Sequence, residues 1–142
     1  MVEVEVLGAG ASHPDGAGSA RLGGSAPSVR EIRRLCALAA GAAGVHEGHV
    51  AIEFVDERRI VELNGRYRAK HQPTDVLSFP VDGAEGLPIA RELGDVVICL
   101  AHTSDVREAV VHGVLHLLGM DHETDDGQML TLQRQLLERD ST

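Results

Sequence analysis

Aromatic residues are almost missing from this chain. It has no tryptophan, and Phe54, Phe79 and Tyr67 are its only aromatics. Any core must therefore be aliphatic, built from Val, Leu, Ile and Ala. Cysteine is equally scarce. Cys36 and Cys99 form no C-x-x-C pair and sit in apolar surroundings, which excludes a disulfide framework and points to buried thiols in a reducing compartment. Long apolar runs are absent too. The longest uncharged one, Leu35 to Val45, contains Gly41 and Gly44 and is too short to span a bilayer. The opening residues Met1-Val2-Glu3-Val4-Glu5-Val6 alternate apolar and acidic, unlike a secretory signal. A cytoplasmic protein without a membrane partner is expected. Basic charge is short: 13 Lys+Arg against 22 Asp+Glu leave a net charge of −9. General nucleic-acid binding, and DNA binding in particular, is not expected of such a surface, although a small local basic site is compatible with it.

Much of what is present is ordinary for a globular protein. Of 142 residues, 43% are hydrophobic, enough for one domain spanning 1–142 that buries roughly two-thirds of its unfolded surface. Met1 to Leu7 alternates as a half-exposed strand does. Gly8 to Ala26 is a glycine-, alanine- and serine-rich stretch, expected to be a flexible loop. Ser28 and Glu31 form a capping box for a helix with Ile32, Leu35, Cys36 and Ala39 on one face. His49 to Val55 reads as a strand. Asp56 caps a short helix whose Ile60 and Leu63 point inward. A polar, basic loop is expected from Asn64 to Thr74, a strand from Asp75 to Pro80, a loop from Val81 to Glu92 and a strand from Gly94 to Leu100. Asp105 and Glu108 can cap a helix running to about Leu118. A last helix is expected from Thr124 to about Glu138. Asp125 and Asp126 fall in its first turn, and Met129, Leu132, Leu136 and Leu137 form its core stripe. This order predicts an α+β fold: a small mixed four-stranded sheet covered by about four to five helices.

The strongest chemical signal is His112-Gly113-Val114-Leu115-His116-Leu117-Leu118-Gly119-Met120-Asp121-His122. Positions i and i+4 share a helix face, so His112 and His116 can bind the same ion. Gly119 sits where the helix can end, because glycine enters the left-handed region without steric cost. The turn can bring His122 back to the other two. Three nitrogens plus water make a tetrahedral zinc site with one open position, the arrangement of catalytic zinc. One Zn2+ per chain is expected, at the end of the histidine-bearing helix. The spacing copies the zinc-protease pattern H-E-x-x-H-x-x-G-x-x-H, except that Gly113 stands in place of the glutamate base. Peptide hydrolysis by that mechanism is therefore not expected.

A second constellation is basic. Arg58, Arg59, Arg66, Arg68 and Lys70 hold five of the chain's 13 Lys+Arg residues. Arg58 and Arg59 read as a solvated helix face. Arg66 and Arg68 flank Tyr67 just before a strand, where an arginine fork can hold a phosphate bidentately.

Four blocks, in order, carry a family resemblance: Leu63-Asn64-Gly65-Arg66-Tyr67-Arg68, Pro73-Thr74-Asp75-Val76-Leu77-Ser78-Phe79-Pro80, Leu93-Gly94-Asp95-Val96-Val97-Ile98-Cys99 and the histidine motif. Together they resemble the YbeY family of bacterial zinc-dependent endoribonucleases over roughly residues 50–138. The resemblance implies zinc ligands at His112, His116 and His122, and a functional arginine at Arg68. It implies cleavage of single-stranded RNA in small-subunit ribosomal RNA maturation and ribosome quality control, with ribosomal proteins or assembly factors as further partners. Arg68 and His116 are the expected catalytic residues, and Arg66, Arg68 and Lys70 the expected RNA contacts. Asp121 is placed either to orient a ligand histidine or to cap the helix end. Three features depart from the family pattern. Met120 replaces a usual tyrosine, the connection after Leu100 is short, and Gly8 to Ala26 is long and glycine-rich. Two other readings stay open: a metallohydrolase of another substrate, and a zinc-binding ribosome-assembly factor with little catalysis.

Overall fold

A computed structural model of the chain describes residues 2–8, 27–80, 92–120 and 126–141. In chain order its elements are β1 (Val2–Gly8), α1 (Val29–Ala42), β2 (Gly48–Val55), α2 (Glu57–Arg68), β3 (Val76–Pro80), β4 (Glu92–Cys99), a 3₁₀ turn (Leu100–His102), α3 (Val106–Leu117) and α4 (Gln128–Ser141). The strand order is β1-β2-β4-β3. The first three run parallel, and β3 closes one edge antiparallel to β4. The fold is α+β with a mixed four-stranded sheet, as expected.

The residue pattern explains the layers. Val2 and Val4 of β1 are buried while Glu3 and Glu5, which alternate with them, are exposed, the period of a strand with one covered face. β2 and β4 lie inside the sheet, with Val50, Ile52, Val96 and Ile98 fully buried on the face that α1 and α3 cover. One core gathers α1, α3 and α4 through Leu35, Val110, Val114, Leu115, Met129 and Leu136. A smaller cluster on α2 and the sheet holds Ile60, Leu63, Leu77, Val97 and Cys99. Cys36 and Cys99 are free and buried, and burial pushes the Cys36 thiol up to about 12.

Three side-chain caps start the helices where the sequence placed them. Ser28 accepts from the Glu31 N–H, Asp56 from Arg59 and Asp105 from Glu108. Each is worth about 1 kcal/mol.

Other boundaries differ from expectation. α2 continues past Asn64 to Arg68, so Arg66, Tyr67 and Arg68 occupy a last helical turn and not a loop. The connection it leads into is correspondingly shorter. β4 begins at Glu92, and Leu100 opens the 3₁₀ turn. α4 begins at Gln128, so Asp126 precedes the helix. Its N–H donates to the Gln128 amide oxygen. Gly8 belongs to β1. The rest of the expected 8–26 loop, most of the 81–92 loop, Asp121, His122 and Asp125 lie outside the described residues.

Candidate active site

The site is built on α3. From Ala109 to Leu117 every residue is buried except His112 and His116, which are half-buried. The i,i+4 spacing turns both imidazoles out of the packed face together. Their ring centroids are 4.7 Å apart with planes at 70°. His112 Nδ1 lies 2.8 Å from the side-chain oxygen of Gln133 on α4. An amide oxygen only accepts, so in the tautomer that makes this bond His112 carries its proton on Nδ1 and presents Nε2 to the groove. Gln133 is itself buried, which fixes it as a partner.

Helix α3 ends where the sequence placed the bend. Gly119 has φ +98°. Its N–H donates to the His116 carbonyl, and the Met120 N–H donates to the Leu115 carbonyl. This is the paired closure of a glycine-terminated helix, and it directs the chain out of α3 immediately after His116.

A groove with a cavity volume of about 820 Å³ runs past these histidines. Its walls include His112, His116 and Met120 on one side, β3 in the middle, and Tyr67 and Arg68 at the end of α2. The structure therefore brings Arg68 and two of the expected ligands to one groove. Arg66 and Lys70 are exposed and do not line it. Arg58 is exposed, and Arg59 pairs with Glu62 on its own helix, in keeping with a solvated face.

The neighbouring polar residues hold the walls together. Asp75 accepts from the Val76 N–H at the start of β3, and its carbonyl accepts from Cys99. Ser78 Oγ donates to the Gly113 carbonyl at 2.9 Å, tying β3 to α3. Asn64 is buried, and its side-chain amide donates to the Gln72 carbonyl at 2.9 Å, which anchors the connection between α2 and β3.

The histidine pair suits a divalent metal. It offers two imidazoles from consecutive helical turns, one of them held by a buried amide, the kind of outer partner that orients imidazole ligands. Among the described residues no group of three or more His, Cys, Asp or Glu is placed to hold a metal. The expected third ligand His122, and Asp121 beside it, fall outside them.

Sequence reasoning missed two participants. Gln133 lies four residues after Met129 and three before Leu136, on the buried side of α4. A polar residue in that stripe was the available signal. Tyr67 and Phe79 meet in the groove with ring centroids 5.0 Å apart, a contact between separate elements that no local pattern encodes.

Comparison with known proteins bears on the family and the fold. The family model described as Endoribonuclease YbeY matches residues 26–140. The chain is 37% identical over 131 residues to the Endoribonuclease YbeY of Bacillus cytotoxicus, covering 77% of this chain and 84% of that protein. It is 42% identical over 121 residues to that of Alcanivorax borkumensis, covering 71% and 68%. The fold is similar to the solution structure of TM1509 from Thermotoga maritima, with a TM-score of 0.53 and 23% identity, covering 96% of this chain and 88% of that one. By the span of the family match and the identity of these relatives, the chain belongs to the YbeY family.

Proposed function

We propose that this protein is a zinc-dependent endoribonuclease specific for single-stranded RNA, acting in the cytoplasm in small-subunit ribosomal RNA maturation and ribosome quality control. The observation that carries the reading is the shared groove: the arginine at the end of α2 and the paired histidines of α3 line one cavity. The relatives' name, Endoribonuclease YbeY, supplies the substrate class.

His112, His116 and His122 would hold one Zn2+, which, when bound, supplies a Lewis acid and a water of lowered pKa at neutral pH. The chain's own groups do the remaining work. Gln133 holds His112 in the tautomer whose Nε2 bears the lone pair. Arg68 offers a planar fork of donors to the phosphoryl oxygens as their charge grows, a role worth roughly 3 kcal/mol where one such donor is removed elsewhere. Ser78 and Asp75 keep β3 fixed between the two walls. The net charge of −9 leaves the approach of RNA to this local site and to partner proteins of the ribosome.

A peptide-cleaving reading is disfavoured by Gly113, where a Cβ would lie 2.4 Å from Val96 Cγ1. No general-base side chain fits at that position.

The test is cleavage of matched single-stranded and duplex RNA by metal-replete protein, beside a His116→Ala control. Selective cutting of the single strand by the wild type alone is expected. Equal cutting by His116→Ala, or no cutting by the wild type, contradicts the reading.

A further inference from the structure

We propose that Tyr67 and Phe79 form a stacking subsite for one unpaired nucleobase, next to the phosphate position at Arg68. This deepens the reading of the groove as an RNA-cleaving site and rests on it.

The chain has three aromatics. Phe54 is buried in the core, and the other two touch each other along the groove that also holds His112, His116 and Arg68. Tyr67 is 59% exposed, so it does little for the core. Ile60 and Leu63 of the same helix fill that role. Phe79 is half-buried and packs on the smaller apolar cluster, which gives Tyr67 a fixed backing. The ring planes meet at 66°. An edge-on contact of this kind does not stack the two rings face to face, and both residues line the groove.

Bases stack on such platforms without regard to sequence, because every base has a π-face. Only an unpaired, unstacked base can reach one, so the subsite would select single strands over duplex. The overall acidic charge strengthens the argument. A protein with a net charge of −9 gains little from counterion release, whereas stacking does not depend on salt in that way.

The experiment is fluorescence anisotropy of metal-replete protein with a labelled single-stranded 2′-O-methyl oligonucleotide, whose length is checked by gel before and after each titration. Tyr67→Ala should weaken binding by roughly 5- to 150-fold, the range that base–aromatic stacking gives, with melting unchanged. Tyr67→Phe should bind like the wild type, and Tyr67→Leu should not. The dependence of affinity on salt should stay the same in Tyr67→Ala, whereas Arg68→Ala should lower the salt slope by about 1. Removing one base from the oligonucleotide, at the position that faces the pair, should erase the difference between wild type and Tyr67→Ala. If the wild type binds RNA and Tyr67→Ala binds equally well, the subsite alone is refuted. Rescue by leucine, or an effect of Tyr67 that survives abasic substitution at every position, also overturns it. If the wild type binds no RNA of either kind, the subsite and the reading of the groove fall together.

Discussion

At Gly113, a Cβ would stand 2.4 Å from Val96 Cγ1 and 3.3 Å from Val76 Cγ2. Helix α3 presses its backbone onto the sheet there, and Ser78 holds the Gly113 carbonyl from β3. The residue that separates this motif from the zinc proteases is thus set by packing. Gly113→Ala should destabilise the fold by about 1–3 kcal/mol, the usual cost of overpacking, read as a lower melting temperature. A wild-type melt would mean that the sheet yields. Arg68 makes the opposite prediction. It is exposed at a helix end, so Arg68→Ala should leave zinc content and melting nearly unchanged while cutting the rate of RNA cleavage roughly 10²- to 10³-fold. Lysine at 68 should restore only part, because a point charge does not reproduce the fork. Unchanged cleavage by Arg68→Ala would remove this residue from the mechanism. Gln133→Leu keeps the volume of the side chain but deletes the acceptor for His112. It should weaken zinc binding by roughly 10- to 100-fold in a chelator competition, and Gln133→Glu should retain it. Equal zinc affinity in all three proteins would assign Gln133 to packing alone.

Elements were legible in the sequence wherever their signal is local. The capping residues Ser28, Asp56 and Asp105 each sit three residues before the N–H they accept from, and each was readable as such. Gly119 was readable for the same reason: the closure after α3 uses only Leu115 to Met120. Gly119→Ala, forced to φ +98°, should cost about 1–2 kcal/mol and loosen zinc binding by misdirecting the chain after His116. Equal melting and zinc affinity would show that the bend is not required. The end of α2 was misread because its cause is not local. Apolar periodicity stops at Leu63, and Gly65 looks like a helix breaker. Gly65 is instead a close-packing position, where a Cβ would lie 2.4 Å from His71 Nδ1, and Asn64 reaches across to Gln72. These contacts hold the following connection against the helix and let it run on to Arg68. The start of α4 was placed too early because Asp125 and Asp126 resemble a first turn, whereas Asp126 lies in the bend before it.

For the whole molecule, the helices that flank the histidines are tied by charge as well as by the core. Asp140 on α4 accepts from Arg34 on α1 at 2.5 Å and from Arg107 on α3 at 2.7 Å. Arg34 first, and Arg107 with it, hold the Asp140 carboxyl below its ordinary value against the cost of its burial. A carboxylate with a lowered folded pKa contributes stability that is complete above its unfolded value, about 3.9, and is lost as pH falls through the folded one. The gap in melting temperature between wild type and Asp140→Asn should therefore be steady above about pH 5 and close as pH falls below about 4. A gap that widens in acid would contradict this. No described helix is long and apolar enough to cross a membrane. The proposed zinc would join the same scaffold through the histidines of α3, and a ligand that binds only the native state stabilises it by mass action, so chelation should lower the melting temperature. The central claim, that the groove is a zinc-dependent RNA-cleaving centre, is tested most directly by titrating zinc into metal-stripped protein while following cleavage of a labelled single-stranded RNA. Activity should rise from background and saturate at one zinc per chain in the wild type, and stay at background throughout in His116→Ala. Full cleavage by the metal-stripped protein, or an identical zinc-dependent rise in His116→Ala, would contradict the account.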